Sequence, residues 1–103
     1  MNTVDAKIEG TSLLLTIKVP RMDAATARDF KKECENIWQP GIVSVTADLG
    51  MLEFIDSSGV GAFLSLYKKL PPSNPSVKFR KVRPSVQTVI ELLRLHRIFE
   101  IEL

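Results

Sequence analysis

The run from Glu53 to Leu64, EFIDSSGVGAFL, sets carboxylates, two adjacent hydroxyls and two glycines between apolar residues. A serine nucleophile needs a base within hydrogen-bond reach, and the chain holds one histidine, His96, beside Arg97. That histidine follows a helical pattern, where a cation favourably meets a helix C-terminus, so it reads as a cap or a surface group. Nor does the run spell G-x-S-x-G, the strained elbow that exposes a nucleophile. These residues argue against a hydrolase.

Two binding chemistries fail the same kind of test. GVGAFL begins like G-x-G-x-x-G, but Leu64 stands where the third glycine must let the helix pack closely, and no Walker lysine follows. Asp56, Glu53 and Asp23 are carboxylates with no defined metal-ligand spacing and no His or Cys partner. The sequence therefore implies no catalytic residue, no metal and no cofactor.

The run does supply a helix start. Asp56 or Ser57 suits an N-cap, and the unpaired N–H groups and dipole there favour negative charge. A plain cap does not require Gly59 and Gly61, each of which weakens a helix by about 1 kcal/mol relative to Ala. Glycines allow close approach, which suits an accessible first turn meeting a partner or a modifying enzyme. A phosphate on Ser58 would add about −1.5 to −2 charge, tolerated by the helix start yet close to Asp56. An interface fitted to a neutral hydroxyl would then lose a few kcal/mol, about a hundredfold in affinity. On residues alone both readings stand, a plain cap and a modifiable one.

The elements that must position this run follow from periodicity. Leu13, Leu15, Ile17 and Val19 alternate as a strand, and Val4 to Glu9 pairs with it through a turn at Gly10, Thr11 and Ser12. Asp23 caps a helix carrying Ala27, Phe30, Cys34, Ile37 and Trp38 on one face, stopped by Pro40 and Gly41. Cys34 on that stripe reads as a buried structural thiol. Ile42 to Leu49 is a β-branched strand with Val43, Val45, Ala47 and Leu49 on one face. Val60, Phe63, Leu64 and Tyr67 mark a second helix ending near Leu70. Val77 to Lys81 is a strand, Pro84 opens a third helix with Val86, Val89, Ile90 and Leu93, and Ile98 to Leu103 is a short last strand. The order ββαβαβαβ predicts an α/β fold, a mixed sheet of four to five strands with right-handed crossovers.

At 103 residues, with 45% hydrophobic and 25% charged residues, the chain suits one domain over 1–103. A net charge of +2 implies no nucleic-acid partner. The basic cluster KFRKVR, Lys78 to Arg83, reads as a solvent-facing strand edge, since alternation turns Phe79 inward and leaves no aromatic for base stacking. One cysteine, no signal-peptide core and no apolar run near the roughly 18 to 20 residues that span a bilayer predict a cytoplasmic protein without membrane insertion.

The segment ADLGMLEFIDSSGVGAFLSLYKKL, Ala47 to Leu70, resembles the signature of STAS domains in bacterial anti-sigma factor antagonists, D-L-x-x-V-x-F-M/I-D-S-S/T-G-L-G followed by an apolar helix. MDAATARDF and LLRLHRIFEI are similar to further family segments, so the resemblance covers nearly the whole chain. It departs at Pro20 and Arg21, where Gly-Glu is usual, and at Arg94, where Gly commonly ends the last helix. The Arg94 departure predicts a different helix ending, because a side chain strains a left-handed cap.

The resemblance implies a non-enzymatic, phosphorylation-switched interaction module that acts in transcription regulation as a monomer or weak dimer. By that resemblance an anti-sigma-type serine kinase is expected to phosphorylate the second hydroxyl, Ser58, and a serine phosphatase to reverse it. The unphosphorylated form binds the kinase and releases its target. By the same mapping Asp23, Asp56, Ser57, Gly59 and Gly61 are expected to form the partner interface, with both glycines keeping the helix start open. The alternative is a STAS accessory subunit of a lipid or anion transport complex without a phospho-switch.

Overall fold

In a computed structural model, residues 2–102 are described. Strand β1 (Val4–Glu9) folds back on β2 (Ser12–Ile17) around Gly10, whose φ of 61° is the left-handed turn geometry that glycine accepts without strain. The chain continues through β3 (Arg21–Met22), α1 (Ala24–Ile37), β4 (Ser44–Asp48), β5 (Phe54–Ile55), α2 (Ser57–Lys69), β6 (Ser76–Arg80), α3 (Pro84–Leu92), a 3-10 turn (Leu95–Arg97) and β7 (Phe99–Ile101). Five strands form one mixed sheet in the order β1-β2-β4-β6-β7, antiparallel at β1-β2 and parallel elsewhere. This is the predicted α/β class.

Register explains which face the helices cover. Leu13, Val45, Val77 and Phe99 stand in one row across the sheet, and Leu15, Ala47, Phe79 and Ile101 in the next. All but the half-buried Ile101 are buried. Because strand side chains alternate, the opposite face carries Thr16, Asp48 and Arg80 in a row toward water. Phe30 of α1 meets Phe63 of α2 with ring centroids 5.0 Å apart, Phe63 meets Phe79 at 5.0 Å, and Phe79 meets Phe99 at 4.8 Å. That chain of rings welds both helices to the centre of the sheet.

Several expectations are corrected. Val43 is 42% exposed because the strand begins at Ser44, and its N–H bonds Thr11 O before the alternation starts. Ile42 is buried instead. Helix α1 ends at Ile37, ahead of Pro40. On α2 the deepest side chains are Phe63 and Leu66, while Leu64 and Tyr67 are half-buried. On α3, Val86 and Ile90 are buried but Leu93 is 47% exposed, since the helix has ended at Leu92. Arg94 then takes φ 59°, ψ 28°, the left-handed ending that glycine would take, so the ending is not altered as expected and the side chain bears the strain. Ile98 precedes the last strand rather than joining it. Leu103, and the expected domain limits at 1 and 103, lie outside the described residues.

The basic cluster faces solvent as predicted and is engaged in ion pairs: Lys78 with Glu100 (4.0 Å), Arg80 with Glu102 (3.4 Å) and Lys81 with Asp48 (3.5 Å). Phe79 points into the core. Cys34 is buried there too, and burial, with Glu33 and Glu35 adding to it, pushes its thiol up to about 12.

Candidate functional site

Two helix starts are built side by side by a pair of strands too short for periodicity to reveal. Arg21 pairs with Phe54 and Met22 with Ile55 in a two-stranded parallel sheet apart from the main one. Glu53 N and Phe54 N donate to Pro20 O at 2.7 and 3.0 Å, and Asp56 N donates to Met22 O at 3.3 Å. The Arg21 guanidinium lies 4.2 Å from the centre of the Phe54 ring, a cation–π contact. Pro20 and Arg21, two of the three residues at which the resemblance departs, thus help to close this miniature sheet. Proline loses nothing here, because only its carbonyl is used.

Directly after each short strand comes an aspartate N-cap. Asp23 Oδ1 accepts from Thr26 N at 3.1 Å, which starts α1. Asp56 Oδ1 accepts from Ser58 N at 2.9 Å and Gly59 N at 3.1 Å, which starts α2. Each satisfies N–H groups that have no partner within the helix. The hydrogen bond from the Thr26 backbone, with its side chain adding, holds Asp23 below the usual carboxylate value of 3.8. Asp56, rather than Ser57, is therefore the cap of α2, and Ser57 is the first helical residue.

Both serines are exposed, and among the described residues neither hydroxyl makes a side-chain hydrogen bond. What separates them is direction. Ser58 lines an open groove of about 400 Å³ between α1 and α2, whereas Ser57 does not. Gly61 lines the same groove, and a methyl group there would meet nothing within 4 Å, so its surface is open as expected.

Gly59 corrects the expectation. It is buried, and a Cβ on it would lie 2.6 Å from Met22 O, 2.7 Å from Ile55 Cγ1 and 2.7 Å from Met22 Cγ. Its bareness seats α2 against the β3–β5 pair rather than opening the helix start. Four of the five expected interface residues therefore reach the surface in whole or part, Asp23 and Asp56 being half-buried.

Sequence reasoning missed Met22 and Ile55, the wall behind Gly59, and also Arg28 and Lys31, which line the groove from α1. The latter pair carried a signal in their three-residue spacing on a polar helix face. Glu53, weighed as a metal ligand, is exposed, and its carbonyl accepts from Ser85 Oγ at 2.8 Å. His96 is exposed on the 3-10 turn, far along the chain from this site. Among the described residues no group of three His, Cys, Asp or Glu side chains is placed to hold a metal ion, and no helix is long and apolar enough to cross a membrane.

Comparison with known proteins places this geometry in a family context. The STAS domain family model matches residues 3–103. An anti-sigma factor antagonist from Mycobacterium paratuberculosis superposes with a TM-score of 0.81 at 18% identity, covering 96% of this chain and 83% of that one. The anti-sigma factor antagonist SpoIIAA in its unphosphorylated form gives 0.78 at 17%, covering 97% and 88%. The same protein, a Bacillus cell fate determinant, in its phosphorylated form gives 0.70 at 16%, covering 97% and 91%. The murine anion transporter Slc26a9 in its inward-facing state gives 0.66 at 13%, over 88% of this chain but 15% of the transporter. At these identities the superpositions establish a shared fold.

Proposed function

Because this chain belongs to the STAS domain family, we propose that it is a phosphorylation-switched protein-interaction module of the anti-sigma factor antagonist type, with Ser58 as the switch. The carrying observation is the exposed Ser58 hydroxyl in the first turn of α2, on the groove shared with α1. In the forward step a partner serine kinase brings ATP, Ser58 Oγ attacks the γ-phosphorus, the bond to ADP breaks and the hydroxyl proton passes to the kinase. In the reverse step a serine phosphatase directs water at the phosphorus, releasing phosphate and restoring the hydroxyl. The chain itself supplies the acceptor and no catalytic group.

Unphosphorylated, the two helix starts with Asp23, Asp56, Ser57 and Gly61 meet the anti-sigma-type kinase, which then releases its target. Phosphorylated, the same surface gains about 1.5 to 2 negative charges beside the two cap carboxylates. Desolvation and like-charge repulsion of a few kcal/mol then lower affinity about a hundredfold. That SpoIIAA is known in both unphosphorylated and phosphorylated forms supports the reading. The setting is cytoplasmic, in transcription regulation, with the chain a monomer or weak dimer over residues 1–103.

The test is incubation with the cognate kinase and ATP, followed by site mapping and by capture of the kinase on wild type, Ser58→Ala and Ser58→Asp proteins. Label on Ser58 in the wild type and loss of capture in Ser58→Asp are expected. Label elsewhere, with all three proteins capturing equally, would sink the assignment. The second reading, an accessory subunit of an anion or lipid transport complex, is favoured by the likeness to Slc26a9. It predicts association with a transporter that Ser58→Asp leaves unchanged.

A further inference from the structure

The groove on which Ser58 opens is hollow because its floor is small, with Ala24 and Ala27 on α1 facing Gly61 and Ala62 on α2. Its charged lining is Arg28 and Lys31, both exposed. Among the described residues neither takes part in an ion pair or a side-chain hydrogen bond, in contrast to the engaged cluster on β6. Two cations face a serine across a groove lined by no carboxylate.

The reach of those cations follows from how the helices run. Phe30 follows the Asp23 cap by the same seven residues as Phe63 follows Asp56, and their rings meet at 5.0 Å, so α1 and α2 run alongside each other from a common start. At 1.5 Å per residue, Arg28 then lies about 4.5 Å deeper along the axis than Ser58, and Lys31 about 9 Å deeper. Helical side chains lean toward the N-terminus, so an extended Arg28 returns to the level of Ser58 and Lys31 reaches back toward it.

The geometry points to an intramolecular phosphate clamp: a phosphate on Ser58 lies in the α1–α2 groove, held by the Arg28 guanidinium and approached by the Lys31 ammonium. This rests on Ser58 as the modified hydroxyl. A guanidinium fork matches phosphate oxygens, and the ammonium adds a point charge behind it. The consequence for recognition is that phosphorylation does two things at once. It places a dianion at the helix start, and it occupies the two cations that the unphosphorylated groove offers to an acidic partner group.

The experiment uses full-length chain carrying phosphoserine at position 58, installed during translation without any kinase, as wild type and as the R28Q/K31Q double variant. Phosphorus NMR follows the second ionisation of the phosphate, ordinarily near pH 6. The clamp predicts a midpoint about one unit lower in wild type than in R28Q/K31Q, with the gap narrowing in about 1 M salt. Circular dichroism of the double variant is expected to match wild type, since both side chains are exposed on one helix face. Coincident titrations would overturn the clamp. So would a midpoint lowered relative to a short phosphopeptide but indifferent to R28Q/K31Q, which would assign the effect to the helix start alone. Failure here leaves Ser58 open to the kinase, while kinase labelling elsewhere removes the proposed switch without moving this titration.

Discussion

Gly59 and Gly61, two residues apart, respond in opposite directions to the same substitution. An alanine in a helix is favoured over glycine by about 1 kcal/mol when its methyl group meets nothing, and Gly61 is such a position, with no atom within 4 Å of an added methyl. At Gly59 the methyl would stand 2.6 Å from Met22 O and 2.7 Å from both Ile55 Cγ1 and Met22 Cγ. Ordinary contacts lie at 3.4 Å or more, so α2 must retreat from the β3–β5 pair by most of an ångström. The carbonyl cannot yield alone, because it accepts the Asp56 N–H at 3.3 Å. Overpacking of this kind costs about 1 to 3 kcal/mol, and the upper part applies where backbone is struck, leaving a net loss of about 2 kcal/mol after the helix gain. In a domain of this size 1 kcal/mol moves Tm by about 4 to 8 °C. Scanning calorimetry, supported by urea titration, is thus expected to raise Tm for Gly61→Ala by several degrees and lower it for Gly59→Ala by about 10 °C. A Gly59→Ala protein as stable as wild type would refute the close seating of α2.

Three further outcomes follow. Arg94→Gly removes the strain of a side chain at φ 59° and should stabilise the chain by about 1 kcal/mol, read as a shift of the urea midpoint. Cys34 should resist Ellman's reagent at pH 8 in the folded chain and react fully in denaturant, since its thiol is buried and raised to about 12. Asp23 is held below its ordinary 3.8, so its contribution is complete above that value and is lost as pH falls through the lower folded value. Urea midpoints of wild type and Asp23→Asn, which keeps a capping oxygen, should therefore converge below pH 3.8; a constant gap from pH 6 to pH 2 would refute the assignment.

The hairpin, the three helices and the parallel strands were legible because each carries its own period, as Leu13, Leu15 and Ile17 do in β2 and Ala27, Phe30 and Cys34 do in α1. Both aspartate caps were legible in outline for the same local reason. Strands β3 and β5 were not, since two residues hold no period and their pairing is set by contacts between distant segments. The role of Gly59 was misread on that account. A glycine in the sequence says that a side chain is missing, and only Met22 and Ile55 say what occupies the space. Arg94 was misread in the other direction, the chain accepting local strain to keep the turn into β7. The groove cations went unnoticed because Arg28 and Lys31 look like any solvated helix face until α2 lies beside them.

The β3–β5 pair also sets an order of events. Arg21 and Phe54 are about thirty residues apart, so neither helix start acquires its neighbour until that long loop has closed. Isolated helices of this length are marginal in water, and their facing surface does not exist before closure. Any partner that reads both helix starts together thereby meets a complete surface only on chains that have closed this pair, so unfolded or damaged copies do not present it.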